Sequence, residues 1–427
     1  MNPFLPLEYC IPDAEPHIFG DRVYIYGSMD TPGEKHYCGH QYRVFSARTD
    51  DLAHWTDHGA AFSSSGSGRA VPWSSARLFA PDVCEINGTY YLYFCMADKS
   101  EGVASSQNPA GPFTNTRRLS YPPGVKDGRP LEEIDPAVFK DDDGHVYYYW
   151  GQEKAEAARL KTPYELDAES YVDGIIDARR HFFFEGSSMR KRRGVYYYIY
   201  CAVIDGKANH LAYATSCSPL GPFQYRGVII DNQKCDPESW NIHGSIIEID
   251  GQWYVLYHRS SNRGFFSRRA CAEKIYFDQD GFIKTVEMTT QGFIGPINAE
   301  EQIPAAAACE VEGGNYITRE ADGTHTVVNN TNGCRAEYRY IDFGKTLTGR
   351  ILRIRAAPHI SGTMVVSIDS GKIICKISFS GRHSSQWVDL TTQTCEIAGV
   401  HSLRISFESE NKNNSLCDFL WFTFTAL

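Results

Sequence analysis

One short pattern occurs five times in the first 258 residues: a glycine followed by alternating aromatic and apolar residues. Alternation of this kind, rich in aromatic and β-branched residues, is typical of β-strands. A leading glycine, often with Asn or Asp before it, is typical of a tight hairpin turn. Each segment is therefore predicted to be the second arm of a β-hairpin. The five are GDRVYIYG (20–27), GTYYLYFC (88–95), GHVYYYWG (144–151), GVYYYIYC (194–201) and GQWYVLYH (251–258).

The spacing of these hairpins predicts the fold. They start at residues 20, 88, 144, 194 and 251, so each repeat has room for about four short strands. Helical patterns are nearly absent over 1–295, with KAEAA (154–158) as the exception. Five four-stranded sheets arranged radially form a five-bladed β-propeller, which we predict for residues 1–296. A pair of β-sandwiches, the alternative, does not explain five similar hairpins at this spacing.

A polar residue precedes the first arm of each hairpin. Because the innermost strands of a propeller line a central channel, these five residues are predicted to meet at one end of it. A site built from distant segments on a rigid scaffold is a common arrangement for a functional centre. The residues are Asp13, Asp82, Asp135, Glu185 and His243.

Clustered carboxyl groups suit glycoside hydrolysis. That reaction needs one carboxylic acid to protonate the leaving oxygen and one carboxylate to activate water. Glu185 follows three phenylalanines, and apolar neighbours favour the protonated form that an acid requires. Asp13 is placed across the ring, where it could hold the water, and a carboxylate at Asp135 would raise the pKa of its neighbour. Asp82 is expected to fix a turn.

Composition excludes several other classes. The net charge is −10 without a basic block, which argues against nucleic acid and against an anionic membrane surface. No stretch approaches the roughly 18 apolar residues of a membrane span. The N-terminal MNPFLPLEYC lacks a signal-peptide pattern, and the thirteen scattered cysteines form no CxxC pair. We therefore expect reduced thiols and a cytoplasmic location, with an oligosaccharide as the partner and no organic cofactor.

Five motifs together resemble glycoside hydrolase family 43 over residues 1–295: PDAEPHIFGDRVYIYGSMD, FAPDV, IDPAVF, FFEGSSMRK and NIHGS. The resemblance implies a five-bladed propeller that inverts the anomeric configuration. It implies Asp13 as the general base, Asp135 as the residue that modulates and orients the acid, and Glu185 as the general acid.

The same resemblance suggests further contacts. His243 matches an axial histidine that commonly meets a bound calcium or water in the channel. Arg268, in FFSRRACAE, resembles an arginine that binds substrate hydroxyls. Phe79 and Trp73 are candidate subsite walls, and packing between blades is an equal alternative for both.

The pattern changes near residue 297. Two prolines and a run of alanines predict a linker over 297–307, and the short strands over 308–427 predict a β-sandwich. EYRYIDFG, GTMVVSIDSG and CDFLWFTF resemble carbohydrate-binding module family 6. This implies a jelly-roll with sugar-binding loops and a structural calcium that would use Glu310 or Glu312 and Asp418. A purely bracing role is the alternative.

The expected function is an inverting exo-glycosidase that releases terminal α-L-arabinofuranose or β-D-xylose from plant-derived oligosaccharides. An endo-arabinanase, an exo-β-1,3-galactosidase and a non-catalytic sugar-binding scaffold are the alternatives. An inverting pair is expected to stand roughly 6.5–9.5 Å apart, with room for water.

Overall fold

The structure, a computed structural model, describes residues 1–122, 134–236, 241–320, 322–369, 371–381 and 386–427. Within these ranges the regular secondary structure is almost entirely strand. One short α-helix, α1, spans Ala178–His181, and single 3-10 turns span Ala168–Ser170 and Ala305–Ala307. No helix in these parts of the chain has the length and apolar character needed to cross a membrane.

Five antiparallel sheets follow one another along the first part of the chain. Blade 1 contains β1 (Glu15–Phe19), β2 (Arg22–Tyr26), β3 (Gln41–Arg48) and β4 (Asp51–Ser63). Blade 2 contains β5 (Asp82–Ile86), β6 (Thr89–Cys95), β7 (Glu101–Ser106) and β8 (Thr114–Arg117). Blade 3 contains β9 (Ala137–Lys140), β10 (Val146–Trp150), β11 (Lys154–Thr162), β12 (Glu165–Leu166) and β13 (Val172–Asp177). Blade 4 contains β14 (Phe183–Arg192), β15 (Val195–Ile204), β16 (Lys207–Ser216) and β17 (Gln224–Asp231). Blade 5 contains β18 (Ser245–Ile249), β19 (Gln252–Ser261) and β20 (Gly264–Ile275).

The first strands of the blades form the inner wall of the ring. Contacts run from β1 to β18, from β18 to β14, from β14 to β9 and from β9 to β5. The predicted five-bladed propeller is confirmed, and each repeated glycine–aromatic segment forms the second strand of its blade.

The tyrosines of the repeat explain how neighbouring blades adhere. Alternate side chains of a strand point to opposite faces, so Tyr198 packs toward blade 3 while Tyr197 packs toward blade 5. Several of these rings also reach across with their hydroxyl groups. Tyr26, Tyr93 and Tyr149 donate to the carbonyl oxygens of Pro109, Pro163 and Pro219 in the following blade, at 2.5, 3.0 and 2.9 Å. A buried tyrosine thus supplies apolar area and also satisfies its polar end.

The KAEAA segment, expected to be a short helix, is instead the start of β11. Ala155, Ala157 and Ala158 are completely buried between blades. Small side chains fit the narrow space beside the aromatic strand β10, and this packing overrides the helical preference of alanine.

The N-terminal residues close the ring beside blade 5. Phe4 N–H donates to the Ala270 carbonyl at 3.2 Å. The Asn2 amide donates to the Ala272 carbonyl at 2.8 Å and accepts from the Ala272 N–H at 2.9 Å. Blade 5 has three strands among the described residues, and these bonds occupy the edge of β20 that a fourth strand would pair with.

The C-terminal domain consists of two six-stranded sheets packed face to face around a core rich in phenylalanine and isoleucine. One sheet contains β21 (Ile297–Asn298), β23 (Glu310–Glu312), β26 (Arg335–Asp342), β28 (Gly362–Ile368), β29 (Lys372–Phe379) and β31 (Val400–Glu408). The other contains β22 (Ile303–Pro304), β24 (Tyr316–Arg319), β25 (His325–Val328), β27 (Arg350–Pro358), β30 (Val388–Gln393) and β32 (Cys417–Ala426). The predicted β-sandwich is confirmed.

Residues 297–307 do not form a linker. β21 and β22 already pair with strands of the sandwich, and Ala305–Ala307 are buried in its core. A run of small apolar residues is ambiguous in sequence, because it suits an exposed link and a tightly packed turn equally well.

We predict that Asn2→Ala destabilises the propeller by about 1–3 kcal/mol, because it leaves the buried Ala272 N–H and neighbouring carbonyl groups without partners. Chemical denaturation measures this loss. Asn414→Ala, at an exposed position, serves as the control and should leave stability unchanged. Equal stability of the two variants would show that the N-terminal bonds do not hold the ring.

Candidate active site

A cavity of about 290 Å³ opens at the end of the ring where the first strands begin. Residues from all five blades line it. They are Asp13, Tyr37, Cys38, Phe79, Ala80, Ile134, Asp135, Gln152, Phe184, Glu185, Asn241, His243 and Arg268. Four of the five polar residues that precede the hairpins therefore meet here, as the strand pattern predicts. Asp82, the fifth, does not line the cavity and instead accepts from the Val138 N–H of the next blade at 2.6 Å.

Asp13 is buried just before β1, with a φ of 57° that is uncommon for a residue other than glycine. Its Oδ2 accepts a hydrogen bond from the Ser28 hydroxyl, and its Oδ1 accepts from Arg268 Nη1 at 3.1 Å. The rings of His243 and His258 stand 3.8 and 3.7 Å from Oδ1. Burial by itself raises the pKa of Asp13, but Arg268, the two histidines and Ser28 outweigh it and lower the pKa below the ordinary value. Asp13 is thus an ionised carboxylate at neutral pH.

Asp30 holds Arg268 in place, and the sequence patterns did not single it out. Arg268 donates from Nη2 to Asp30 Oδ1 at 2.8 Å and from Nε to Asp30 Oδ2 at 2.9 Å. The remaining N–H groups of Arg268 reach Asp13 Oδ1, Asn241 Oδ1 and Cys38 Sγ. All five donors of the guanidinium therefore have acceptors within the protein. A substrate hydroxyl that binds Arg268 must displace one of them, and the thiol at 3.4 Å is the weakest.

Asp135 and Glu185 form the second electrostatic unit of the cavity. Asp135 is buried, also with a positive φ of 54°, and its N–H donates to Cys95 Sγ at 3.3 Å. Burial, then the charges of Glu185 and Asp13, raise the pKa of Asp135 well above its ordinary value. Repulsion between two carboxyl groups in a dry site favours the state in which the pair holds one proton.

Glu185 lies at a bulge in β14, opposite Cys201 of β15. Its Oε2 accepts from the Gln152 amide at 2.6 Å, which fixes the orientation of the carboxyl group. The three preceding phenylalanines have different surroundings. Phe184 lines the cavity and Phe183 is in the core, whereas Phe182 is 43% exposed and contacts Tyr225. The apolar wall beside Glu185 therefore comes from Phe184 rather than from the whole triplet.

His243 stands between two carboxylates. Its Nδ1 is 3.8 Å from Asp13 Oδ1 and 3.8 Å from Asp135 Oδ2. Burial lowers the pKa of His243, so the ring is mostly neutral at neutral pH. Gly186 packs against this ring: a Cβ there would lie 3.3 Å from His243 Cγ, at a φ of 79°.

The described residues do not gather a ligand set for calcium at His243. The one group of three ligand atoms close enough to share an ion in these parts of the chain is Glu15, His17 and Asp82. Calcium prefers six to eight oxygen ligands, and His243 offers nitrogen. Direct coordination by His243 is therefore not supported.

The carboxylates expected to bind calcium in the sandwich have basic partners instead. Glu310 contacts Arg339 at 3.0 Å, Glu312 pairs with Arg335, and Asp418 lies 3.1 Å from His359 Nε2. Among the described residues they form no common ligand group.

The two candidate subsite walls, Phe79 and Trp73, lie in different surroundings. Phe79 lines the cavity. Trp73 lies outside it, stacked near Phe94 with Arg118 over its ring, and belongs to the packing between blades. Tyr37, which the sequence analysis missed, forms a wall instead: its ring covers Arg268 at 4.8 Å and contacts Phe266.

One signal could have found the missed residues. In an antiparallel hairpin, the end of the second strand lies beside the start of the first. Ser28 and Asp30 directly follow GDRVYIYG, and Gln152 directly follows GHVYYYWG. The same repeats therefore mark both halves of the site.

Comparison with known proteins decides the family. Residues 2–283 match the model for glycosyl hydrolases family 43, and residues 305–426 match the model for carbohydrate binding module (family 6). The chain belongs to glycoside hydrolase family 43. It is a glycoside hydrolase with a C-terminal module of the second family, as the motifs predicted.

Two relatives align with this chain along nearly its whole length. A xylosidase/arabinosidase from Thermoclostridium stercorarium is 30% identical over 97% of this chain and 98% of its own. An arabinoxylan arabinofuranohydrolase from Bacillus subtilis is 28% identical over 95% of this chain and 89% of its own. A crystal structure of the Bacillus subtilis family 43 arabinoxylan arabinofuranohydrolase with cellotetraose has a TM-score of 0.56 and 25% identity, and covers 100% of this chain and 97% of that one.

We predict that Gly186→Ala lowers kcat by about 10- to 100-fold, because the new methyl group pushes the His243 ring between Asp13 and Asp135 out of place. It should also cost about 1–2 kcal/mol of stability, since alanine is strained at positive φ.

Gly206→Ala is the matched control. Gly206 has a φ of 74° in the same blade, and a Cβ there meets nothing within 4 Å. It should lose similar stability and keep its kcat. Equal kcat values for the two variants would show that the Gly186–His243 contact has no part in the reaction.

Proposed function

We propose that the protein is an exo-acting, inverting glycosidase that releases a terminal α-L-arabinofuranose or β-D-xylose from short oligosaccharides. The observation that supports this most is the single cavity of about 290 Å³ that holds Asp13, Asp135 and Glu185 within a wall built from all five blades. A small pocket suits the terminal sugar, whereas an endo-acting enzyme needs an open groove along the chain. Relatives named as xylosidase/arabinosidase, arabinofuranohydrolase and beta-xylosidase support a pentose.

Asp13 is proposed as the general base. Its lowered pKa keeps it ionised, so it can accept the proton of a water that attacks the anomeric carbon. The Ser28 hydroxyl and the Arg268 guanidinium occupy its two oxygens and fix the direction of the carboxylate.

Glu185 is proposed as the general acid. Repulsion within the Asp135–Glu185 pair favours a state in which the pair holds one proton, and Glu185, the less buried of the two, is the one placed to pass that proton to a substrate. Gln152 orients Glu185, and Phe184 supplies an apolar neighbour that disfavours its charge. In this scheme the charge of Asp135 disfavours the ionised form of Glu185, so the proton stays on Glu185. Once Glu185 has given up its proton, its own charge makes Asp135 easier to protonate.

Three carboxyl groups in one cavity argue against a non-catalytic sugar-binding scaffold. Sugar binding alone does not need two buried carboxyl groups that repel each other, and such a pair lowers the stability of the fold. Perturbed carboxyl groups in a cleft are typical of catalysis.

The function is tested with nitrophenyl α-L-arabinofuranoside, β-D-xyloside and β-D-galactoside. Wild type should hydrolyse at least one pentoside and leave the galactoside intact. Asp13→Asn should lose at least about 100-fold in kcat, because the water then has no base. Asp57→Asn, at a surface pair with Arg43, should match wild type. Release of galactose alone, or none by wild type, would contradict the proposal.

Glu185→Gln should lose more activity on substrates with poor leaving groups than on substrates with good ones. We expect a loss of about 10²–10⁴-fold for xylobiose or arabinobiose, whose leaving oxygen needs a proton, and a much smaller loss for dinitrophenyl pentosides. The basic limb of the pH profile should disappear for this variant. Equal losses on both kinds of substrate would exclude Glu185 as the acid.

A further inference from the structure

We infer that Asp30 is a positioning residue: its carboxylate fixes the Arg268 guanidinium where that group contacts Asp13. The inference rests on the proposed function only for the part that Asp13 plays as the base. The geometry itself is independent of the substrate.

Asp30 uses its full hydrogen-bonding capacity for this task. Oδ1 accepts from Arg268 Nη2 at 2.8 Å and from the Cys38 N–H at 3.1 Å. Oδ2 accepts from Arg268 Nε at 2.9 Å and from the Arg268 backbone N–H at 3.0 Å. Three of the four bonds come from Arg268, which is bound through its side chain and its main chain together. A planar fork held in this way cannot rotate without breaking several bonds at once.

Asp30 is itself immobilised beside the base. Its N–H donates to the Cys10 carbonyl at 2.9 Å, in the segment that leads to Asp13. Asp30 and Arg268 are only 2% and 4% exposed. A buried ion pair is stable when all its donors and acceptors are paired, and here they are.

Arg268 is the charge that matters most to Asp13. The other titratable groups facing Asp13 or sharing its cavity are His243, His258, Asp135, Glu185, Tyr37 and Cys38. Burial raises the pKa of Tyr37 to about 12 and also raises that of Cys38, so both are neutral at neutral pH. Burial lowers the pKa of His258 to about 3 and also lowers that of His243, so neither ring carries a full charge at neutral pH. Among these groups Arg268 alone is fully cationic, and its place is set by Asp30.

An asparagine cannot replace Asp30 in this arrangement. Whichever way its amide turns, the NH₂ group faces two N–H donors, because both carboxylate oxygens accept two bonds each. The Asp30→Asn variant should therefore release the guanidinium from its fixed position.

The direction in which the acid limb of kcat/KM moves distinguishes two roles of Asp30: positioning the guanidinium, or acting only as a nearby negative charge. If the guanidinium moves away, Asp13 loses its cationic partner and the acid limb of kcat/KM moves to higher pH. If the guanidinium stays, removal of a nearby negative charge moves the limb to lower pH or leaves it in place. Positioning predicts the first result, with a shift of about 1–3 pH units.

The experiment compares wild type, Asp30→Asn and Asp57→Asn over pH 3–8 on the pentoside that wild type cleaves. Asp57 accepts a bidentate pair from Arg43 on the surface of the same blade, so its variant controls for the loss of one Asp–Arg pair. We expect the acid limb to rise for Asp30→Asn alone, with the loss in kcat growing as pH falls and KM changing less. A limb that falls or does not move would overturn the inference.

A crystal structure of Asp30→Asn gives a readout that needs no activity. Arg268 Nη1 and Asp13 Oδ1 are 3.1 Å apart. We expect this distance to exceed about 3.5 Å in the variant, and an unchanged distance would overturn the inference. Wild type that cleaves no pentoside would refute the proposed function while this structure still decides the role of Asp30.

Asp30→Glu covers the case in which the asparagine variant does not fold. It keeps the charge but moves the carboxylate by one methylene toward Arg268. The longer side chain should push the guanidinium away from Asp13, so the acid limb should lie above that of wild type by up to about 1 pH unit. A glutamate variant with the acid limb of wild type would show that Asp30 supplies charge and not position.

Discussion

The Arg268 guanidinium joins the last blade of the propeller to the first. Its partners Asp30 and Asp13 are 238 and 255 residues away in sequence, and all three side chains are buried. A propeller is an open chain that must become a ring, and the seam between blades 5 and 1 has no covalent link. The contact that closes the seam on the cavity side also ionises and orients the proposed base. The seam between blades 5 and 1 and the proposed base thus share one ion-pair network.

The carboxyl groups of the cavity differ in pKa because their neighbours differ. Asp13 and Asp135 both precede a first strand, both have positive φ, and both are buried. They differ because Asp13 faces a cation, whereas Asp135 faces Glu185. The pKa of Asp13 is therefore lowered and that of Asp135 is raised. An ionised carboxylate and a carboxyl pair that favours holding a proton can therefore coexist in one small cavity.

Periodic features of the chain were predictable, and irregular ones were not. The glycine–aromatic repeats predicted the blades because a strand buried on both sides needs a nearly continuous run of aromatic and apolar residues, and a hairpin turn marks where it begins. The residues before each hairpin predicted Asp13, Asp135, Glu185 and His243, since the repeat fixes which end of each strand they occupy. Asp30 was marked by its place just after the first repeat, but Tyr37 and Cys38 lie further along SMDTPGEKHYCGH (28–40), which has no period and whose course depends on contacts with blade 5. Trp73 and Phe79 could not be told apart, because both follow loops and only packing places one ring in the cavity.

The second domain contacts the blade at which the ring closes. The hairpin between β19 and β20 donates from Asn262 N–H to the Ile317 carbonyl at 2.7 Å, and Asn262 Oδ1 accepts from the Arg319 N–H at 3.2 Å. Arg268 follows directly on this hairpin, and Asn2 binds further along the same strand. A three-stranded blade with an exposed edge is the weak point of such a ring. The sandwich and the N-terminal segment hold that blade from two sides, so the bracing interpretation of the C-terminal domain has a structural basis whether or not its loops bind sugar. The position of Arg268 against Asp13 is therefore set on a blade that the neighbouring blades, the N-terminal segment and the sandwich all contact.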